Sequence, residues 1–395
     1  MLHVAADQRY VMIDGRERAP LAASRNMYLD ADGDVIPGAS IDGPLSAGIP
    51  GVPAALEHLA LNYGKLPLSV TLEAAIRHAK TGFETDEHYR RMAAFREKAL
   101  GASADAAKIF LENGRAPDPG TLIVQPDLAD TLSEIASKGA RGFYQGEVAA
   151  RLVESVKRHG GVWRMEDLAS YRVVERRPVS GEYAGMKIVS AAPPSSGGIA
   201  LVQMLNMLAQ FDLESLAEAK QTHIVAEVMR RAYRDRAEFL GDTDFVTVPV
   251  DRLVSVAHAE KLAATIRLDR ATASDELSAV AVDAVKAADT THFSVVDSEG
   301  NRVAATLSIN YPFGSGFVAE GTGVLLNDEM DDFSSKPGVP NAYGLVGAEA
   351  NAIEPGKRML SSMTPTFLET GDRVAVLGTP CLLYTSDAAD DAMNV

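Results

Sequence analysis

Cysteine is almost absent from this chain of 395 residues; the only one is Cys381. A disulfide framework is therefore excluded, although an oxidising compartment such as the periplasm or the cell exterior is not. Zinc-ligand spacing and a phosphate-cradling glycine loop are also missing, which sets aside structural zinc motifs and nucleotide-binding loops. No apolar run approaches the roughly 20 residues that a membrane-spanning helix requires, and a soluble protein is expected. Basic residues are in deficit, with 38 Lys and Arg against 54 Asp and Glu and a formal net charge of −16. Such a surface repels a nucleic-acid backbone. No long Gly/Ser or Pro-rich linker, internal repeat or low-complexity run divides the chain. With 46% apolar residues it can bury a substantial core, and one interwoven globular unit is the simplest organisation.

The patterns that are present change midway. Apolar residues recur at three- and four-residue spacing over Leu72 to Lys80, Asp127 to Ser137 and Glu147 to His159, with turn signals such as Asn113-Gly114 and Pro117-Asp118-Pro119-Gly120 between segments. Helices are predicted to dominate residues 50 to 165. A strand is predicted at Lys187 to Ala191, leading through Pro193-Pro194-Ser195-Ser196-Gly197-Gly198 into an apolar helix from Ile199 to Phe211. The Pro193 to Gly198 loop reads as a tight turn rather than a pocket wall. Trp163 is expected as a local core anchor, and His223 as a packing or capping residue at the start of a long amphipathic helix. Arg270 to Ala288, rich in Ala, Asp and Ser with weak periodicity, reads as a flexible linker.

That linker ends at Asp289-Thr290-Thr291-His292-Phe293-Ser294, where two hydroxyls open a strand-like segment. An internal threonine is a poor nucleophile. A threonine that becomes N-terminal by backbone cleavage carries its own amine as general base. A bare Thr-Thr pair is also what opens an ordinary strand, so the neighbours decide. Val295 and Val296 lead into the turn-rich Asp297-Ser298-Glu299-Gly300-Asn301, after which Val303, Ala305, Leu307 and Ile309 alternate with Arg302, Ala304, Thr306, Ser308 and Asn310. This predicts a hairpin with one apolar face. Pairing Asp297 with Arg302 sets Thr291 opposite Ser308 and brings Thr290 within one residue of both Ser308 and Asn310. His292 is given a structural or orienting part, because the freed amine already serves as base.

Downstream, Asn327-Asp328-Glu329-Met330-Asp331-Asp332-Phe333 places four acids within five residues. Such a cluster holds a substrate ammonium, a hard cation, or nothing but water; its spacing is not that of an EF-hand loop.

Thr290-Thr291-His292-Phe293-Ser294, Asn327-Asp328-Glu329-Met330-Asp331-Asp332-Phe333-Ser334, Lys336-Pro337-Gly338-Val339-Pro340-Asn341 and Ser361-Ser362-Met363-Thr364-Pro365-Thr366, in that order, resemble the γ-glutamyltranspeptidase family. The likeness extends upstream through Pro193 to Gly198 and Tyr233-Arg234-Asp235-Arg236 to Asp14-Gly15-Arg16-Glu17-Arg18-Ala19-Pro20, and downstream to about Pro380. It implies the four-layer α/β/β/α sandwich of N-terminal-nucleophile hydrolases. It implies a precursor that cuts itself between Asp289 and Thr290 into a large and a small subunit, Thr290 then being the nucleophile. By the same resemblance Ser308, where the family usually has threonine, orients Thr290. Arg16 grips the α-carboxylate of a γ-glutamyl group with Ser361 and Ser362, a task suited to a guanidinium fork. Glu329 and Asp332, assisted by Asn310, bind its α-ammonium, and Tyr343 belongs to a lid loop. The implied reaction is acyl transfer through a γ-glutamyl ester, from glutathione or a related compound to water, an amino acid or a dipeptide. No metal or organic cofactor is called for. Export to the periplasm or the exterior is implied as well.

The family motif Gly-Ser-Pro-Gly-Gly-Ser, whose paired glycines offer N–H groups to an oxyanion, reads here Gly378-Thr379-Pro380-Cys381-Leu382-Leu383. The expectation is that residues 1–289 are a large-subunit portion lacking its N-terminus, 290–380 a small-subunit portion lacking its C-terminus, and 381–395 a non-native tail. Met1 matches an internal methionine of the family fold, and the literal polypeptide is expected to be inactive. Two other readings accompany the preferred one. A related cephalosporin or glutaryl acylase would use Arg16 and Ser361 but depend less on the acids, and an inert γ-glutamyl-binding fragment would not cut at Asp289.

Overall fold

A computed structural model of the chain describes residues 1–277, 290–341, 344–371 and 373–379. In chain order its principal strands are β1 (Leu2–Val4), β2 (Arg9–Asp14), β3 (Val174–Arg176), β4 (Val179–Tyr183), β5 (Met186–Ser190), β6 (Thr290–Val296), β7 (Arg302–Ser308), β8 (Thr366–Thr370) and β9 (Arg373–Leu377). Its principal helices are α1 (Val52–Asn62), α2 (Glu73–Thr81), α3 (Pro126–Lys138), α4 (Gly146–Arg158), α5 (Gly197–Leu208), α6 (Glu218–Phe239) and α7 (Val256–Ala263). Helices α2, α3, α4 and α5 and strand β5 fall where the periodicity puts them. The reasons are local: α3 opens with Pro126 in its first turn and ends at Gly139 in a left-handed conformation, with Lys138 in its last turn. Along α4, Val148, Ala149, Leu152, Val153 and Val156 share one buried face. Trp163 is fully buried and its indole donates to the Ala47 carbonyl at 2.9 Å.

The strands form two sheets, one five-stranded in the order β3-β2-β1-β7-β6 and one four-stranded in the order β9-β8-β5-β4, and their pairings are antiparallel. The two-residue period of β5 assigns its faces: Val189 turns toward the other sheet with Met1, Ala304 and Phe367, while Ile188 turns outward onto Val202 and Ile199 of α5. Behind α5, Met207, Ile224, Val228 and Ala259 join α5, α6 and α7 into an outer helical layer. On the opposite side α1 lies against the first sheet, so the layers run helix, sheet, sheet, helix, as the family resemblance implies.

One expectation fails by a single residue. Thr290 lies directly opposite Ser308, and Val296 opposite Arg302. The turn is the cause. The Asp297 carboxylate accepts from the backbone N–H of Glu299 and of Asn301, the Asp297 N–H donates to the Asn301 carbonyl, and Gly300 takes the left-handed conformation with φ 86°. Asn301, not Arg302, therefore closes the loop against Asp297. The hairpin also turns its small and hydroxyl-bearing face inward: Ala304 is fully buried between the sheets and Ser294 donates to the Val376 carbonyl at 3.0 Å. Phe293, on the apolar face, is 47% exposed. Among the described residues no helix is long and apolar enough to cross a membrane.

Candidate active site

The corrected register brings the two hydroxyls together. Thr290 Oγ1 donates to Ser308 Oγ at 3.3 Å, and Ser308 Oγ also accepts from the Asn310 N–H at 3.0 Å. Asn310 follows the end of β7 with φ 74°, a conformation asparagine tolerates better than most residues. Its side-chain amide donates to the Asp328 carbonyl at 3.1 Å, tying the nucleophile's strand to the acidic segment. His292 shares the face of Thr290. Its ring contacts Thr306 Oγ1 at 2.8 Å and Ser294 Oγ at 3.2 Å, so it is engaged along the hairpin. Asp289, the residue before the nucleophile, lies outside the described residues, as do Tyr343, Pro380, the Cys381 to Val395 segment and most of the predicted linker.

Arg16 follows β2 at a point of very close approach. A Cβ on Gly15 would stand 2.7 Å from the Ala55 side chain on α1, so only glycine seats the chain this close to that helix. The Arg16 N–H donates to Asp14 Oδ1 at 2.9 Å, and its carbonyl accepts from the Tyr171 hydroxyl at 2.7 Å. Asp14 in turn accepts from Arg176 Nε at 2.7 Å and lies 3.4 Å from Arg358 Nε. The backbone of Arg16 is thus anchored in a buried charge network that also holds the segment leading to Ser361. Removing one member of such a network typically costs about 3 to 5 kcal/mol.

The Arg16 guanidinium reaches Glu329 and Asp332, each at 2.5 Å, and Glu17 at 4.0 Å. Glu329–Asp332 is a single 3-10 turn, and Asn327 positions it by accepting from the Glu329 N–H at 3.1 Å. The four acids are not a solvated loop: Asp328, Glu329 and Asp331 are buried. Nor do they act together. Asp328 accepts from the Tyr311 N–H at 3.0 Å and Asp331 from the Ser40 hydroxyl at 2.6 Å, which leaves Glu329 and Asp332 to face Arg16. Neither oxygen of Glu329 has a hydrogen-bond partner of good geometry. Burial drives its carboxyl well above the usual range against the pull of Arg16.

Glu17 was not singled out by sequence reasoning, although it stands beside Arg16 in the quoted motif. It lines both a cavity of about 820 Å³ that contains Thr290, Ser308 and Tyr311 and one of about 200 Å³ that contains Arg16, Ser308, Ser195 and Ser361. Ser195 and Pro194 are therefore part of a pocket wall as well as of a turn, contrary to the sequence reading. Burial, opposed by Arg16, raises Glu17 from 4.5 to about 7. An acid raised in the folded state ionises first in the unfolded chain. Its contribution to stability is full below pH 4.5 and falls as the pH rises toward about 7, after which it is constant. Glu17→Gln is expected to flatten the fall in melting temperature between those pH values, as measured by thermal unfolding in a pH series; parallel curves for the two proteins would contradict the assignment.

Ser361 and Ser362 are held from behind. The Ser361 hydroxyl oxygen accepts from the Met363 N–H at 3.0 Å and that of Ser362 from Arg236 Nη2 at 3.1 Å. Arg236 too was missed: it lay in the quoted Tyr233 to Arg236 run, but nothing local announces a partner 126 positions away. The arrangement as a whole offers a threonine hydroxyl on a hydroxyl partner, next to a pocket whose wall combines the Arg16 guanidinium, the Glu17 carboxyl and the side chains of Ser195 and Ser361, with Glu329 ion-paired to Arg16. Such a wall can read both charges of an amino-acid terminus.

The profile of the family described as Gamma-glutamyltranspeptidase matches residues 1–381. The glutathione hydrolase proenzyme of Pseudomonas sp. (strain A14) is 44% identical over 379 residues, which are 95% of this chain and 66% of that protein. The chain thus spans about two thirds of the length of such relatives. The crystal structure of Helicobacter pylori γ-glutamyltranspeptidase is similar with a TM-score of 0.67 and 42% identity, covering 69% of this chain and 79% of that one. The cephalosporin acylase of Bacillus halodurans is similar with a TM-score of 0.74 and 25% identity, covering 91% of this chain and 64% of that one.

Proposed function

The chain belongs to the γ-glutamyltranspeptidase family, and from that premise we propose that it acts as a γ-glutamyltransferase and glutathione hydrolase proenzyme. It cleaves itself before Thr290, separating residues 1–289 from the segment that begins with the nucleophile. Thr290 then attacks the γ-amide carbonyl of glutathione or another γ-glutamyl compound, its freed α-amine taking the hydroxyl proton and passing it to the leaving amine. Ser308 holds the hydroxyl in line. The γ-glutamyl ester is resolved by water or by an amino acid or dipeptide acceptor. Arg16, Ser361 and Ser362 bind the donor's α-carboxylate, and Glu329, Asp332 and Asn310 its α-ammonium. By family resemblance, the protein works in the periplasm or outside the cell.

One observation carries this reading: the buried Glu329 and its neighbour Asp332 both meet the Arg16 guanidinium at 2.5 Å, so opposite charges face each other at one end of the site. A carboxylate so placed calls for a cation, and an arginine so close calls for an anion. A zwitterionic donor end inserted between them satisfies both. The alternative is an acylase for glutaryl-type amides, supported by the likeness to cephalosporin acylase; a glutaryl donor has no ammonium to offer Glu329 once its own carboxylate engages Arg16. A direct comparison decides between them. With γ-glutamyl and glutaryl anilides as donors, the γ-glutamyl compound is expected to turn over at least tenfold faster per unit concentration, and preference for the glutaryl donor would establish the acylase.

A further inference from the structure

Arg236 stands apart from the other buried arginines. Arg16, Arg96, Arg231 and Arg358 each have a carboxylate oxygen within ion-pair distance: Glu329 at 2.5 Å, Asp42 at 2.8 Å, Glu227 at 2.6 Å and Asp14 at 3.4 Å. Arg236 is 6% exposed, and among the described residues its hydrogen bonds go to two hydroxyls, Ser196 Oγ through Nε and Ser362 Oγ through Nη2, both at 3.1 Å. Burial holds its basicity below the ordinary value despite the pull of Tyr233 and Asp332. A buried cation with no carboxylate in contact is costly, and folds keep one where a ligand supplies the missing charge.

The direction of these bonds adds a second argument. A guanidinium can only donate, so Ser362 Oγ must accept from Arg236, and its own proton is left to point elsewhere. The Ser361 hydroxyl is loaded in the same way by the Met363 N–H. Ser196 Oγ accepts from Arg236 and passes a bond on to the Ser361 carbonyl at 2.9 Å. Arg236 therefore braces both serines at once, and the two hydroxyl protons are free for one acceptor.

We propose that Arg236 is a positioning residue for the α-carboxylate of the donor, turning the Ser362 proton toward that carboxylate and adding a second positive charge behind it. This rests on the assignment of Ser361 and Ser362 to the carboxylate. Arg16 grips the anion directly, and Arg236 acts through the serines. The guanidinium fork spans Ser196 and Ser362, so lysine replaces the charge but only one of the bonds.

The test compares two anilide donors on the full-length protein: γ-glutamyl anilide and 4-aminobutyryl anilide, which keeps the amine but has no α-carboxylate. Arg236→Gln is expected to raise KM for the γ-glutamyl donor about 10- to 100-fold, the range for hydrogen bonds to charged groups, with kcat changed less than threefold. KM for the 4-aminobutyryl donor is expected to change less than threefold. Equal losses on both donors would mean a purely structural part for Arg236 and would overturn the proposal, as would an unchanged KM for the γ-glutamyl donor. If Arg236→Gln does not fold, Arg236→Lys carries the same comparison, with a rise in KM of severalfold confined to the γ-glutamyl donor. An unaltered protein that does not distinguish the two donors would instead refute the carboxylate assignment itself, so the two failures are told apart before any variant is made.

Discussion

In the full-length protein, Thr290→Ala is expected to leave a single uncut polypeptide, whereas the unaltered sequence is expected to separate into one piece ending at Asp289 and another beginning with Thr290. The expectation follows from the two parts one residue must play. On the proposed reading, the Thr290 hydroxyl, paired with Ser308 at 3.3 Å, attacks the preceding carbonyl before cleavage. After cleavage the same hydroxyl is the nucleophile and the new amine its base. Alanine removes both functions, and turnover of a γ-glutamyl anilide is expected to fall by on the order of 10⁴-fold or more. Thr290→Ser keeps a hydroxyl and is expected to cleave, more slowly. Intact mass measurement decides the matter: normal cleavage of Thr290→Ala would remove Thr290 from the mechanism.

Arg16→Lys is expected to raise KM for the same anilide by roughly 30-fold, equivalent to about 2 kcal/mol, with a much smaller effect on kcat. The substitution conserves charge, yet Arg16 uses its fork in full: one branch meets Glu329, the other Asp332, and Nε donates to the Met359 carbonyl at 3.3 Å. A lysine ammonium, a point charge on a flexible stem, cannot hold these and also present two parallel N–H groups to a carboxylate. In the structure the acids and the arginine satisfy one another, so an arriving zwitterion must exchange partners with each. That exchange needs the fork to stay in register. Steady-state kinetics showing an unaltered KM would sink the assignment of Arg16 to the donor carboxylate.

Much of the frame was legible in the residues themselves. The helical period over Leu72 to Lys80, Asp127 to Ser137 and Glu147 to His159 corresponds to α2, α3 and α4 within about a residue at each end, because amphipathic spacing and end signals such as Pro126 and Gly139 act over a few positions. The hairpin from Thr290 to Ser308 was legible for the same reason. Its register was not, because a carboxylate accepting two N–H groups at Asp297 and the left-handed Gly300 shift the pairing by one residue, and only the closed turn shows which residue faces Asp297. The four acids looked alike in the chain. Their separation into Glu329 and Asp332 against Arg16, Asp328 toward the Tyr311 backbone and Asp331 toward Ser40 depends on one 3-10 turn and on partners that lie 17 positions away at Tyr311 but 291 away at Ser40 and 316 at Arg16. Glu17 and Arg236 illustrate the same division. Their chemistry is written in the sequence, but what makes either matter is the loss of water and the choice of neighbours, and both are decided only when the two sheets and the outer helices close around Arg16, Ser361 and Ser362.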